Sequence, residues 1–597
     1  MIHPEQPRAP VGGTRNLEAS LELLQGLQRL GLRRLVLCPG SRSGPLAVAA
    51  GMLAGPRLEL HTGIDERSAA FFALGLSRAD GYPAAVVTTS GTAVANLLPA
   101  AVEADHGAIP LLLLSADRPG HRKGCGANQT VNQQDFLRPS CRWVGEADSA
   151  GLAAMTAPAI EQLAQRAWAA ASGAPAGPVH LNLPFDEPLH ADAAALLALG
   201  AGLEAGSAVP SSQVLGAAAA AIEPPPLLDP DQPGLIVAGP WRGPPEGRAP
   251  FVAALRRWQL RSGWPLLADG LSGLRGEAEL GSIAGYDLLL EAPPADLAVG
   301  QVLRLGPLAA SRRLQQWLAG LGGRQLLICE QDPRNQDPLG TAVERLSAGL
   351  ASWCAALPAP LWSGVAPPRN LELQQRWGQL EADCQALLSE QLPATGPPRE
   401  PAVARALSRL LPPQLPVMLA SSSPVRDWES FADPAVPRPL FGFRGASGID
   451  GTLSLAAGLA ESLGRLVLLT GDLALLHDSN GWLWRQQLGG QLTVVLIDNG
   501  GGGIFEQLPI RPPEGHSGLI DFERLFAMPQ ALDHCALAAA HGVAWRRLER
   551  LEQLAEALVW SFSQRLALLE LRTDRRADAA LRQRLRHRMA TPSARSR

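Results

Sequence analysis

Apolar runs of strand length recur along the chain, each closing on a polar or glycine-rich turn and most followed by a stretch of helical periodicity. Runs at 34–38, 58–62, 84–88, 110–115 and 179–183 read as buried strands, with helical stretches at 17–30 and 68–77. After an Ala- and Pro-rich stretch at 200–232, shorter strand-like runs return at 235–238, 302–305 and 325–329, followed by a polar helix near 371–391. A second Pro-rich stretch, 393–401, leads to strands at 417–420, 465–470, 492–497 and 566–570, with helices expected at 452–463 and 480–488. Strand and helix alternating at this spacing predict an α/β protein of three doubly wound parallel-sheet domains. The breaks place them at 14–200, 201–392 and 393–590, with a disordered tail from about residue 591.

Composition narrows the class. The chain has 597 residues, ample for three cores, and 46% hydrophobic with 18% charged residues is the balance of a soluble globular protein. Net charge is −4, so no global basic field points to nucleic acid. Seven cysteines lie scattered without Cys-x-x-Cys pairs, which suggests reduced thiols and neither a disulfide framework nor a zinc site. The first fifteen residues lack an apolar core of the secretory kind, and no apolar run reaches membrane-spanning length. A cytoplasmic location is the expectation.

Candidate chemistry gathers at strand ends. The strand at 465–470 stops at Gly471-Asp472, and the strand at 492–497 stops at Asp498-Asn499, with a crossover between them. Such a unit makes the strands parallel, so Asp472 and Asn499 share one carboxyl edge. Two hard oxygen donors beside the glycine run Gly500 to Gly503 suit a magnesium ion that shares phosphate oxygens. Gly-Asp after a strand is also an ordinary turn, and the stretch by itself leaves both readings open. Glu66, in GIDER after an early strand, reads from the residues alone first as a carboxylate at a helix start, near its positive end. Basic side chains are nearly all arginine, Lys123 being the single lysine. Arg42, Arg118, Arg426 and Arg444 follow strands or flank glycine turns, and Arg312-Arg313 stand in the middle segment. Guanidinium forks of this kind suit carboxylate ligands.

The three-segment arrangement resembles thiamine diphosphate enzymes of the pyruvate oxidase-like architecture, with pyrimidine-binding, central and pyrophosphate-binding domains. Gly471-Asp472 and Asn499 match the pyrophosphate-domain signature in order and spacing, although Leu473 replaces its second glycine. A narrower resemblance spans nearly the whole chain. PGSRSGPL (39–46), GIDERSAAFFALGL (63–76), TSGTAVANLLPA (89–100), SADRP (115–119), CGANQ (125–129), SSPVRD (422–427), RGASGIDG (444–451) and DNGGGGIF (498–505) are similar to one family. That family is the 2-succinyl-5-enolpyruvyl-6-hydroxy-3-cyclohexene-1-carboxylate synthases, transferases of menaquinone and phylloquinone biosynthesis.

The resemblance implies a reaction and a set of roles. Decarboxylation of 2-oxoglutarate would be followed by 1,4-addition of the succinyl unit to isochorismate. Thiamine diphosphate is implied as cofactor, with Mg2+ (or Mn2+) held by Asp472, Asn499 and a main-chain carbonyl near Gly501. Glu66 is implied as the catalytic carboxylate, hydrogen-bonded to N1′ of the aminopyrimidine. Gly91, Ile449, Gly471, Leu473, Gly502 and Ile504 are implied around the cofactor, Ile449 as the aliphatic wedge beneath it. Ser41, Arg42, Arg118, Asn128, Gln129, Arg312, Arg313, Ser422, Arg426, Arg444, Phe505 and Leu508 are expected around the two dicarboxylate substrates. The fold further implies a homodimer or homotetramer, in which Glu66 of one subunit meets the cofactor of another. Phe443, His121-Arg122, Asp498 and Arg312 depart from the family pattern and touch substrate fine-tuning or regulation. The alternatives are another thiamine diphosphate enzyme, such as an acetolactate synthase or 2-oxoacid decarboxylase, and a non-catalytic nucleotide-binding protein. The arginine content disfavours the former, because pyruvate carries one carboxylate.

Overall fold

The structure, a computed structural model, describes residues 12–205, 227–277, 279–512 and 520–591. Much of the expected 200–232 linker and nearly all of the tail lie outside them. Three wholly parallel sheets account for the apolar runs. The first contains β1 (Arg34–Leu37), β2 (Glu59–Thr62), β3 (Ala84–Thr88), β4 (Leu111–Asp117), β5 (Trp143–Glu146) and β6 (Pro178–Pro184). The middle sheet contains β7 (Gly234–Ala238), β8 (Leu266–Ala268), β9 (Gln301–Leu305), β10 (Arg324–Ile328) and β11 (Ala342–Leu346). The third contains β12 (Val417–Leu419), β13 (Leu440–Gly442), β14 (Arg465–Gly471), β15 (Gln491–Asp498), β16 (Ala544–Leu548) and β17 (Leu566–Arg572).

Strand order in the first sheet is β2-β1-β3-β4-β6-β5 and in the third β13-β12-β14-β15-β17-β16. Counted within each sheet, the two orders are the same, 2-1-3-4-6-5. The middle sheet runs β11-β10-β9-β7-β8. Central strands are buried on both faces, as the unbroken apolar runs demand: every residue of β3, β4 and β6 is buried.

The chain divides into two compact units and not along the three sheets. Residues 444–462 and 480–488 group with the first sheet, and every strand of the third sheet groups with the middle one. In the first unit the helix Glu66–Asp80 meets the helix Thr452–Leu463 at a near backbone contact. A Cβ on Gly75 would stand 2.3 Å from the Leu455 carbonyl oxygen, and one on Gly458 would stand 2.1 Å from that of Phe72. Phe72 stacks on Trp484 at 4.0 Å, and the Trp484 indole donates to Ser68 at 2.9 Å. In the second unit one apolar core runs from Leu235 and Tyr286 through Trp377 and Trp428 to Val467, Val495 and Leu569.

Two expectations need correction. The helix expected at 480–488 is a helix Asp472–His477 followed by a 3-10 segment Ser479–Gln486. The stretch 393–401 is not linker to its end, because a helix starts at Glu400, whose carboxylate is buried. Proline at the second helical position lacks only an N–H that a first turn leaves unpaired anyway, so the Pro401 that reads as a break begins the helix. The short strands β5, β8, β11, β13 and β16 were not anticipated.

Candidate active site

In the second unit, Asp472 opens the helix after β14 and Asn499 follows β15, which are hydrogen-bonded neighbours, Thr470 beside Leu496. The Asp472 carboxylate is 6% exposed and accepts the Leu473 N–H at 2.8 Å and the Gly501 N–H at 2.6 Å. Burial nevertheless pushes its pKa up to about 7, with Asp498 and Glu400 adding to the rise. Asn499 is 8% exposed; its Nδ2 donates to Glu400 at 2.8 Å, and its Oδ1 has no hydrogen-bond partner. Donation by Nδ2 fixes the amide, so the orphaned oxygen is the end that faces the site. Gly501 has φ +122, and a Cβ there would stand 2.1 Å from the Ala527 carbonyl oxygen. The glycine run is therefore a steric requirement at this position. A buried carboxylate and an unpaired amide oxygen fit a hard divalent cation, and the open space over Gly471 leaves room for what the cation carries.

Behind this corner lies a buried charge network that sequence reasoning missed. Glu400 accepts from Asn499 on one oxygen and from Arg582 at 2.7 Å on the other. Arg582 also binds Asp427 through Nε at 2.7 Å, and burial raises the Asp427 pKa despite that arginine. Asp427 belongs to the quoted SSPVRD motif, but neither Glu400 nor Arg582 carries a motif. Ser422 precedes the helix Ser423–Phe431, which carries Asp427, at φ +76, and the exposed Arg426 donates to the Ser422 carbonyl at 2.7 Å. Phe505 and Leu508 are half-buried around the 3-10 segment Gly503–Gln507, which also holds Ile504. Among the middle-domain arginines, Arg312 is exposed, whereas Arg313 donates through Nη1 to both carboxylate oxygens of Asp287 at 3.0 Å and through Nε to Glu291. A cavity at the carboxyl ends of β7, β9 and β10 is lined by Gly239, Arg242, Gly306 and Glu330, and none of the expected site residues lines it.

In the first unit, Glu66 is the first residue of its helix, capped by Asp65, whose carboxylate accepts the Arg67 and Ser68 N–H groups at 3.0 and 3.3 Å. Asn96 donates to Glu66 at 3.2 Å, and Asn480 donates to Asp65 at 2.8 Å. The carboxylate is thus aimed from the positive end of a helix, with an amide steadying it.

The structure joins Arg118 to Gln129: the guanidinium donates to the Gln129 carbonyl at 2.8 Å and to Ser90 Oγ. Gln129 Nε2 returns a bond to the Ser90 carbonyl at 2.8 Å. Gly91, at φ +85, lies under Gln129, where a Cβ would come within 2.8 Å of Gln129 Cγ. Arg42 donates to the Phe185 carbonyl at 2.9 Å and to Glu187 at 3.2 Å. Burial, followed by the Arg42 charge, lowers the Arg118 pKa, the signature of two guanidinium groups held near one another. Ser41 and Asn128 are exposed nearby in sequence. Beneath them Gln133 links the Gly91 N–H, the Ala116 carbonyl and Asn182, which donates to Asp117 at 2.9 Å.

The RGASGIDG loop, which carries Arg444 and Ile449, is anchored by a residue the sequence did not mark. Glu103, 4% exposed, accepts the N–H groups of Gly445, Ala446 and Ser447 at 2.9, 2.7 and 3.0 Å. Glu103 lies inside an apolar helix, and only its burial distinguishes it from a surface glutamate. His121 and Arg122 occupy an exposed turn, and Phe443 is buried.

Known proteins bear on this geometry. Residues 19–136 match the family model described as thiamine pyrophosphate enzyme, N-terminal TPP binding domain, and residues 231–417 match the middle domain of thiamine pyrophosphate. The chain is similar to curated proteins named 2-succinyl-5-enolpyruvyl-6-hydroxy-3-cyclohexene-1-carboxylate synthase. That of Synechococcus sp. (strain RCC307) is 57% identical over 96% of this chain and 97% of the relative. The protein of Parasynechococcus marenigrum (strain WH8102) is 54% identical over 93% and 98%, and that of Prochlorococcus marinus (strain MIT 9313) 50% over 93% and 97%.

Proposed function

The chain belongs to the 2-succinyl-5-enolpyruvyl-6-hydroxy-3-cyclohexene-1-carboxylate synthase family of thiamine diphosphate enzymes, and on that premise we propose which of its residues carry the reaction. The reaction decarboxylates 2-oxoglutarate and adds the remaining succinyl unit to isochorismate, with loss of CO2. Thiamine diphosphate, when bound, supplies the electron sink for the decarboxylation.

Asp472, the Oδ1 of Asn499 and a main-chain carbonyl near Gly501 would hold Mg2+ (or Mn2+), which would neutralise charge on the cofactor's diphosphate. The observation that carries this assignment is the buried Asn499 Oδ1, left without a hydrogen-bond partner next to a strand neighbour that presents a buried carboxylate. Glu400 and Arg582 orient Asn499 from behind. Glu66 holds the proton shared with N1′ of the aminopyrimidine, and Asn96 fixes the carboxylate rotamer. Ile449 is the aliphatic wedge, kept in place by the Glu103 anchor of its loop. Arg118, steadied by Gln129 and Ser90, and Arg42, steadied by the Phe185 carbonyl and Glu187, neutralise substrate carboxylates, with Arg312, Arg426 and Arg444 as the further cations. Phe505 and Leu508 exclude water from the ring side.

The minimal active unit is a homodimer in which Glu66 of one subunit acts on the cofactor held by Asp472 and Asn499 of the other; a tetramer would pair two such dimers. Co-folding Glu66→Gln chains with Asp472→Ala chains tests this. Each mixed dimer then has one doubly altered and one intact site, and random pairing restores about a quarter of wild-type activity. No restoration in verified mixed dimers overturns the shared site.

A further inference from the structure

Among the described residues, one group of three metal-ligating side chains lies outside the site described above: Glu59, His61 and Glu461. Glu59 and His61 alternate on β2, so their side chains leave the same face of the first sheet. Glu461 sits near the C-terminal end of the helix Thr452–Leu463 in the same compact unit. One donor atom from each lies within 4.8 Å of the other two. Ligands held about 2.1 Å from one ion stand at most about 4.2 Å apart, so closing the set about an ion needs only side-chain adjustment.

The imidazole is the informative member. Its side chain is 4% exposed, and Nε2 approaches Glu59 Oε1 at 3.2 Å without the alignment of a hydrogen bond, which leaves this buried nitrogen unpartnered. The Phe72 ring, 5.0 Å away at 63°, holds the imidazole edge-on. Arg34 takes the other Glu59 oxygen and also lies 3.4 Å from Asp80, so one cation serves two carboxylates while Glu461 stands close by. The carbonyl end of the Glu461 helix adds further negative potential. A neutral imidazole nitrogen and two carboxylate oxygens form a mixed donor set that favours transition metals over magnesium or calcium.

We propose that Glu59, His61 and Glu461 bind one divalent transition-metal ion of the zinc type, tying β2 to the helix Thr452–Leu463. The ion enters from the Glu59 side, which is 44% exposed, and completes its coordination with water. Its ligands are other than Asp472 and Asn499, and the site stands whether or not the cofactor assignment does.

The full chain, saturated with thiamine diphosphate and excess Mg2+, is dialysed against Zn2+, and bound zinc is counted and its edge spectrum recorded. One zinc per chain with a nitrogen and oxygen shell is expected. Glu461→Gln, which keeps the side-chain volume, and His61→Ala should each weaken zinc binding at least tenfold while thiamine diphosphate binding and melting temperature without zinc persist. If His61→Ala does not fold, Glu461→Gln alone decides. No zinc uptake by the wild-type chain, or uptake unchanged in a folded variant, overturns the site.

Discussion

The first and third sheets have the same strand order and both are parallel throughout, yet their carboxyl edges carry different chemistry. The first edge presents Glu66 at a helix start and the guanidinium groups of Arg42 and Arg118. The third presents a carboxylate and an amide oxygen sunk below the surface, backed by the Glu400–Arg582–Asp427 network. One topology thus offers the same edge twice, and under the assignment proposed above the side chains at the strand ends decide whether it addresses protons and carboxylates or a metal and phosphate. Asp472 is buried where Glu66 is half-buried, and that burial pushes the Asp472 pKa up.

The comparison breaks most visibly through Glu66 and Asp472. Glu66→Gln should lower kcat about a thousandfold and leave thiamine diphosphate binding intact, because a proton-holding group is lost and no cofactor ligand is. Asp472→Ala should abolish thiamine diphosphate binding itself. Steady-state kinetics beside a cofactor titration separates the two, and equal loss of binding in both variants would mean that the edges do not divide the work.

Next in size is a pH effect confined to the third edge. The metal-free Asp472 carboxyl, pushed by burial to about 7, is increasingly protonated below that pH, and a protonated carboxyl does not ligate. The apparent Mg2+ affinity in the presence of thiamine diphosphate should therefore fall about tenfold per pH unit below about pH 7, and level off above it. Metal titrations at pH 5.5, 6.5 and 8 provide the check.

On the first edge, Glu103→Ala would strip three N–H groups of the RGASGIDG loop of their acceptor. A loss of about 2 kcal/mol in stability is expected, with a higher KM for the dicarboxylate substrates, since Arg444 rides on that loop. Glu103→Gln, retaining one acceptor oxygen, should lose about half as much. Arg118→Lys should raise KM for 2-oxoglutarate about tenfold, because Nη1 alone meets Ser90 and Gln129, and a lysine that keeps those two bonds has no second planar nitrogen left for a substrate carboxylate. Cofactor affinity should not move.

Sequence reasoning reached the three parallel sheets because strands buried on both faces appear as unbroken apolar runs. It marked Asp472 and Asn499 as candidates because each stands where such a run stops, whereas Glu66, which the residues alone favour as a helix-start carboxylate, takes its role from the family resemblance. It did not reach β13 or β16, which are edge strands with half-buried residues and no such run. Glu103, Glu400 and Arg582 escaped for a different reason. Each is a charged residue within a helix, indistinguishable in sequence from a solvated one, and only burial against distant partners reveals its role. The pairing of Arg313 with Asp287 was hidden in the same way, since 26 positions separate them.

That pairing makes Arg313 the sharpest small test of how far the comparison extends into the middle domain. Asp287 and Glu291 hold the Arg313 guanidinium; burial would lower its pKa, but the two carboxylates raise it. A guanidinium so engaged has fewer donors left for a substrate than Arg312, which is exposed beside it. Arg313→Ala should cost about 1 kcal/mol or less in stability, as the pair is partly open to solvent, and should change KM for 2-oxoglutarate less than twofold. Arg312→Ala should raise KM several-fold without a stability change. The reverse pattern, KM responding to Arg313 and not to Arg312, would show that the Asp287 pair opens during turnover. The middle sheet would then supply substrate contacts as directly as the first.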